Sequence, residues 1–143
     1  MLENLKGGAH KRLSTTGTMM IRILLAEDDD VMRAYLTRAL EKSGYAVTGV
    51  DRGTAALPLI APDVFDLLLT DIVMPEMDGI ELAQKAAVIA PDMRVMFITG
   101  FSAVTLRAGQ AMPQAKVLSK PFHLRDLVLE IDRMFQGRSF GEL

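Results

Sequence analysis

From Ile21 onward the chain alternates short apolar runs with longer amphipathic stretches. The runs are Ile21–Ala26, Tyr45–Val50, Phe65–Thr70, Val95–Thr99 and Ala115–Leu118, each of strand length. Leu67-Leu68-Leu69 and Val95-Met96-Phe97-Ile98 show no polar alternation. Continuous apolar character of this kind marks strands buried on both faces, as in a parallel sheet covered by helices. Between the runs, Met32, Tyr35, Leu36, Ala39 and Leu40 recur at helical spacing. Asp78-Gly79-Ile80-Glu81 is an Asp-x-x-Glu helix start and predicts a helix over Ile80–Ala90. Leu124, Leu127, Val128, Ile131, Met134 and Phe135 keep the i, i+3, i+4, i+7 rule and predict a last helix. A helix near Thr54–Ala61 must be shortened or kinked, because Pro58 lacks an amide donor. The fourth, within Ser102–Met112, is predicted short or irregular, since Gly109 and Pro113 crowd its end. Five strands alternating with five helices, strand first, define an α/β class: a doubly wound, five-stranded parallel sheet.

Residues 1–19 break this pattern. Met1–Thr18 holds Gly7-Gly8, a Ser14-Thr15-Thr16-Gly17-Thr18 cluster and three basic residues against one acidic, with no apolar period. The segment reads as a disordered leader, and Met19 or Met20 offers an alternative start. The ordered domain is then expected over residues 20–136, followed by a short tail, 137–143, with no output domain. Among 143 residues, 16 are Lys or Arg and 18 are Asp or Glu, a net charge of −2 that speaks against a nucleic-acid partner held by charge. The absence of Cys excludes disulfides, thiolate zinc sites and a Cys nucleophile. No apolar run reaches the roughly 20 residues of a membrane span, so a cytoplasmic protein without membrane association is expected.

In open α/β sheets ligands sit beyond the carboxyl ends of the strands. Strand one ends in Glu27-Asp28-Asp29-Asp30, strand three in Thr70-Asp71, strand four in Thr99-Gly100 and strand five in Ser119-Lys120-Pro121. That sheet edge therefore gathers carboxylates, a hydroxyl and an ammonium. Two unit charges at 4 Å interact by about 4 kcal/mol at an effective dielectric of 20, so Glu27, Asp28 and Asp71 need compensation. Lys120 and a divalent cation are the candidates. Hard oxygen ligands without His or Cys suit Mg2+. A site with Mg2+, an Asp, a hydroxyl and a Lys has the parts for phosphoryl transfer to a carboxylate, with Asp71 attacking in line. Taken singly, each residue has a plainer reading. An acidic run is also a solvated helix start where negative charge complements the dipole, and Lys120 is also a surface lysine. Joint arrival at one edge favours the site.

These residues carry a family resemblance. Arg22-Ile23-Leu24-Leu25-Ala26-Glu27-Asp28-Asp29, Thr70-Asp71-Ile72-Val73-Met74-Pro75-Glu76-Met77-Asp78-Gly79, Phe97-Ile98-Thr99-Gly100 and Leu118-Ser119-Lys120-Pro121-Phe122 resemble the receiver domain of two-component response regulators, from Ile21 to about Phe135. The resemblance implies a flavodoxin-like receiver fold. It implies Asp71 as phosphoacceptor, with a histidine kinase or histidine phosphotransferase as donor. It further implies Mg2+ ligated by Asp28 and Asp71, by Glu27 through water and by the Val73 carbonyl. Lys120 and Thr99 would contact the phosphoryl group, with Gly100 adding freedom beside Thr99. Pro75 and Gly79 would shape the loop above the site, and Pro121 would follow a cis peptide bond that aims Lys120 inward. Three departures accompany the match. Val117 stands where receivers usually carry an aromatic switch residue, Gly100 fits a position often held by Ala or another small residue but with extra freedom, and Phe101–Gln114 lacks the usual Gly-Ala entry to strand five and carries Pro113. They imply a plastic fourth-helix face in place of a Thr–aromatic relay.

Ile72–Ala83 and Lys116–Val128 look most like single-domain regulators of alphaproteobacteria. That likeness implies an unphosphorylated adaptor for a ClpXP-type AAA+ protease in cell-cycle control, recruited with its protease to a cell pole. The alternative is a phosphorelay shuttle or phosphate sink passing phosphate between histidine phosphotransfer proteins. A hydrolase using Asp71 would want a second acid–base Asp two residues on, and Val73 stands there, so no enzyme is expected. Met74 and Met77, in the loop beside Asp71, either cover the site or meet a partner. Phe101 and Val104 are either an interaction face or ordinary packing, and His123 reads as a surface helix cap.

Overall fold

The computed structural model describes residues 20–100 and 102–136. The expected leader and tail, and Phe101, lie outside them. Five strands, β1 (Arg22–Ala26), β2 (Ala46–Val50), β3 (Leu67–Asp71), β4 (Arg94–Thr99) and β5 (Lys116–Ser119), form one sheet in the order β2-β1-β3-β4-β5. Every pairing is parallel. Five helices alternate with them: α1 (Asp30–Lys42), α2 (Gly53–Ala56), α3 (Gly79–Ile89), α4 (Ser102–Ala111) and α5 (Leu124–Met134). A parallel crossover needs a covering helix, and the helices here divide between the two faces of the sheet.

The alternation of side chains along each strand accounts for the apolar runs. Ile23, Leu25, Leu67, Leu69, Met96 and Ile98 pack with Leu36 and Leu40 of α1 and Leu127 and Ile131 of α5. Leu24, Ala26, Leu68 and Phe97 point the other way, onto Ala56 of α2, Leu82, Ala83 and Ala86 of α3 and Ala108 of α4. Both faces are covered, so β1 and β3 have no solvent side on which to place a polar residue.

Local chemistry sets the helix ends. Asp29 caps α1 by accepting the Met32 N–H at 2.9 Å, and Asp78 caps α3 by accepting the Glu81 N–H at 2.8 Å. Pro58 ends α2 after four residues, and Leu57–Leu59 continue as a 3-10 turn. The fourth helix is more regular than expected. It runs ten residues, through Gly109, and stops just before Met112 and Pro113. Gly109 lies in open space, so it contributes only its propensity penalty of about 1 kcal/mol, while buried Ala108 and Met112 anchor this end of the helix. Residue 112 is turned out of the helix because Pro113 disfavours α geometry in its predecessor. Tyr35 also departs from expectation: it is 57% exposed, since the buried stripe of α1 centres on Leu36 and Leu40. Its neighbour one turn back, Val31, is exposed too. His123 precedes α5 without a side-chain cap; its carbonyl instead accepts the N–H groups of Asp126 and Leu127.

The amino edge of the sheet is held by charge. Arg22 donates from Nε to Asp66 Oδ2 at 3.3 Å, from Nη2 to Asp66 Oδ1 and from Nη1 to the Asp63 carbonyl. Both partners are buried. Tyr45 hydroxyl donates to Asp132, tying the start of β2 to α5.

Candidate functional site

The carboxyl edge of the sheet is where the charged residues converge. β1 and β3 are neighbours in the sheet, so Glu27 and Asp71, each at or just past a strand end, are brought together by pairing. Glu27, Asp28 and Asp71 each offer a carboxylate oxygen, and the three oxygens lie within 4.8 Å of one another. Lys120 enters from the far side, just past β5. Its ammonium stands 3.1 Å from Asp71 Oδ2 and 3.5 Å from Glu27 Oε1.

Backbone amides fix these carboxylates. The Ile72 N–H donates to Asp71 Oδ1 at 2.7 Å, and the Asp29 N–H donates to Glu27 Oε2 at 3.1 Å. Thr70 Oγ1 donates to the Asp71 carbonyl at 2.8 Å. Arg33 Nη1 donates to the Glu27 carbonyl at 2.8 Å, so the first turn of α1 clamps the strand end. Side-chain chemistry announces none of these amide donors in the sequence; only the turn geometry reveals them.

The acidic run divides its labour. Glu27 is buried, Asp28 is exposed at the mouth of the cluster, Asp29 caps α1, and Asp30 pairs with Arg33 at 2.7 Å on the surface. The last two residues thus serve the helix start, while the first two place their carboxylates beside Asp71.

Burial pushes the Glu27 carboxyl up from an ordinary 4.5 to about 7; the Asp29 N–H pulls it down, Asp71 pushes it further up and Lys120 opposes that. Glu27 Oε1 is buried without a hydrogen-bond partner, although the Lys120 charge is near. For Lys120, burial opposes the ammonium, but Asp71 and Glu27 together outweigh it and hold its pKa above the usual lysine value. Three converging carboxylates, one of them with a buried oxygen that has no hydrogen-bond partner, are a hard, oxygen-only donor set, and they fit a small divalent cation such as Mg2+.

The remaining expected residues surround this cluster. Thr99, 1% exposed, ends β4 opposite Ser119, and its carbonyl accepts the Lys120 N–H at 2.7 Å. Gly100 lies against the Lys120 stem, where an added Cβ would sit 3.9 Å from Lys120 Cβ. Lys120–Pro121 is a cis peptide. Val73 is half-exposed in the loop after β3. The Pro75 carbonyl accepts the Met77 N–H in a turn where Glu76 has φ 73°. Gly79 is pressed onto Asp71: a Cβ there would fall 2.0 Å from the Asp71 carbonyl oxygen. Val117 is partly buried against the core beside Phe97. Met74 is buried and Met77 partly so, both packed into that core, which favours covering the fold over meeting a partner.

A cavity of about 360 Å³ at the opposite edge, lined by Arg22, Asp63, Phe65, Asp66 and Arg94, holds none of these groups. Among the described residues, no helix is long and apolar enough to cross a membrane.

The sheet order β2-β1-β3-β4-β5 with an acidic cluster and a lysine at its carboxyl edge is the arrangement expected of a receiver-type regulatory domain. Residues 23–132 match the response regulator receiver domain, and the chain belongs to that family. It is 62% identical over 116 residues to the response regulator receiver protein CpdR of Brucella abortus, covering 80% of this chain and 97% of that protein. It is 38% identical to the response regulator protein FleR of Pseudomonas aeruginosa, over 86% of this chain but only 26% of that longer protein. Among solved structures, a CheY-like receiver domain from Methanospirillum hungatei superposes with a TM-score of 0.73 at 32% identity, covering 80% of this chain and 93% of that one.

Proposed function

We propose that the chain acts as a single-domain response regulator whose Asp71 accepts a phosphoryl group from a histidine kinase or histidine phosphotransferase. The observation that carries this reading is the meeting of Asp71 with Lys120 at 3.1 Å inside a cluster of three carboxylates. A carboxylate oxygen of Asp71 attacks phosphorus, a P–O bond forms, the P–N bond to the donor imidazole breaks, and the imidazole leaves as neutral histidine after taking a proton. Lys120 balances charge on the transferring oxygens, and the Ile72 N–H holds Asp71 in aim. Glu27, Asp28, Asp71 and the Val73 carbonyl would hold Mg2+. When bound, that ion shields the incoming phosphoryl oxygens from the carboxylates. Thr99 and Gly100, at the end of β4, lie on the side from which Lys120 arrives and would sense the new group.

The further reading is an adaptor that, unphosphorylated, primes a ClpXP-type AAA+ protease and is switched off by phosphorylation. Its support is the 62% identity to CpdR across 97% of that protein's length. The test has two arms. Labelling by acetyl phosphate in Mg2+ should be complete for the wild type and absent for Asp71→Ala. Degradation of a candidate substrate by the protease should then be timed with wild type, Asp71→Ala and phosphorylated protein. Faster degradation with the first two supports the adaptor; equal rates in all three, matching a control without regulator, would end it.

A further inference from the structure

The loop that follows Asp71 is tied at both ends, and one tie crosses to α4. Three short links lead from the carboxylate outward. Asp71 Oδ1 accepts the Ile72 N–H at 2.7 Å, and the Ile72 carbonyl accepts the Gly79 N–H at 2.8 Å. Gly79 is also in backbone contact with Asp71, so the start of α3 rides directly on the strand end. Asp78, the residue before it, uses one carboxylate oxygen for the Glu81 N–H and offers the other to Arg107 Nη2 of α4 at 3.4 Å. Nearer the middle of the loop, Glu76 accepts from Thr54 Oγ1 at 3.1 Å and stands 3.9 Å from Arg52 Nη1.

Asp78 therefore does two things at once: it caps α3 and anchors α4. A cap can be supplied by a neutral side chain, because Asn serves nearly as well as Asp. The anchor cannot, since an ion pair needs the charge. Arg107 is half-exposed, and exposed pairs of this kind contribute little to folding. A weak link is suited to a movable element, because a change at Asp71 of similar size can break or remake it.

We propose that Arg107 is a positioning residue: through its ion pair with Asp78 it lets the state of Asp71 set the placement of α4. This rests on the reading of Asp71 as phosphoacceptor and extends it to how the signal leaves the site. The route runs from Asp71 through Ile72 and the Gly79 backbone to Asp78, and across to Arg107. It predicts that loss of the pair uncouples α4 from the site without impairing phosphoryl acceptance.

The experiment compares wild type, Arg107→Ala, Arg107→Lys, Asp78→Asn and the double variant Asp78→Asn/Arg107→Ala. Each is first labelled with acetyl phosphate. Each is then followed by amide hydrogen exchange over Ser102–Ala111, with and without beryllium and fluoride in Mg2+. All should take label within about twofold of wild type. The beryllofluoride-dependent change in α4 exchange should fall at least threefold in Arg107→Ala and Asp78→Asn. It should fall no further in the double variant, as expected for groups acting as one pair, and should return in part in Arg107→Lys. A full α4 response in the single variants, with wild type also responding, overturns the inference and leaves the site intact. A wild type that takes no label overturns the reading beneath it, and the inference with it.

Discussion

Lys120 and Asp71 are separated by 49 residues of sequence and by 3.1 Å between Nζ and Oδ2. The pair closes a cluster that would otherwise hold three carboxylates against one another. Replacing Lys120 with Ala removes the ammonium stationed beside Asp71 and, with it, part of the positive charge that would balance the transferring phosphoryl oxygens. The rate of labelling by acetyl phosphate should drop by about 100- to 1,000-fold, in the range seen when one preorganised donor is removed from a transition state. Unchanged labelling would remove Lys120 from the site.

Asp71→Asn separates crowding from chemistry. The amide keeps an acceptor for the Ile72 N–H but loses the nucleophile and one negative charge. Label should vanish. In the absence of Mg2+ the variant should be at least as stable as wild type and gain about 1 kcal/mol, because like charges at this spacing repel. Urea midpoints in EDTA measure the second effect, and a clear loss of stability would show that the carboxylate cluster is not under strain.

Glu27 gives the metal-free protein a pH dependence whose sign follows from its pKa of about 7, above the ordinary 4.5. Between those values the folded state binds more protons than the unfolded state. The stabilising contribution is therefore complete below about pH 4.5 and is lost as pH rises through 7. In EDTA, unfolding free energy should decline from pH 5 to pH 8 by on the order of 1–3 kcal/mol, and Glu27→Gln should flatten the decline. Mg2+ should act in the opposite sense, stabilising most at pH 8, since ligands must be deprotonated to bind it. A flat profile in EDTA would contradict a Glu27 carboxyl raised by burial.

Much of this site was legible because of where chemistry sits in a parallel sheet. Glu27, Asp71, Thr99 and Lys120 all fall at or just past the ends of apolar runs, and register then brings those ends to one edge. The runs themselves were legible because helices cover both faces, which removes the polar alternation that blurs strands elsewhere. What escaped has equally physical reasons. Tyr35 keeps helical spacing with the core yet lies at its margin, because spacing sets the stripe and not its width. Gly109 and Pro113 warned of a broken helix, but an exposed glycine is a small penalty beside the burial of Ala108 and Met112. The Asp78–Arg107 tie and the Arg22–Asp66 pair join residues 29 and 44 apart, distances over which no local pattern operates.

Gly79 and Gly109 make a contrast that tests the fold at the site. A Cβ on residue 79 would lie 2.0 Å from the Asp71 carbonyl oxygen, a backbone atom that cannot swing aside, whereas residue 109 has nothing within 4 Å. Gly79→Ala should cost about 3 kcal/mol or more and disturb labelling, because the clash falls on the strand end that carries Asp71. Gly109→Ala should instead stabilise by about 0.5–1 kcal/mol through helix propensity alone. Chemical denaturation of the two variants measures both effects, and equal effects would contradict the close approach.

The Arg22–Asp66 pair at the amino edge offers the last test, because it separates folding from function. Asp66 accepts both from the Arg22 guanidinium and from the Arg22 N–H, with side chains 10% and 4% exposed. Asp66→Ala strands a buried cation and a backbone donor together and should cost about 3–5 kcal/mol. Asp66→Asn keeps an acceptor for the N–H and should cost clearly less. Both variants, at a temperature where they remain folded, should still take label on Asp71, since the carboxyl edge of the sheet is untouched. Loss of label in folded Asp66→Asn would mean that the two edges are coupled through the sheet, in a way that the packing of β1 and β3 does not account for.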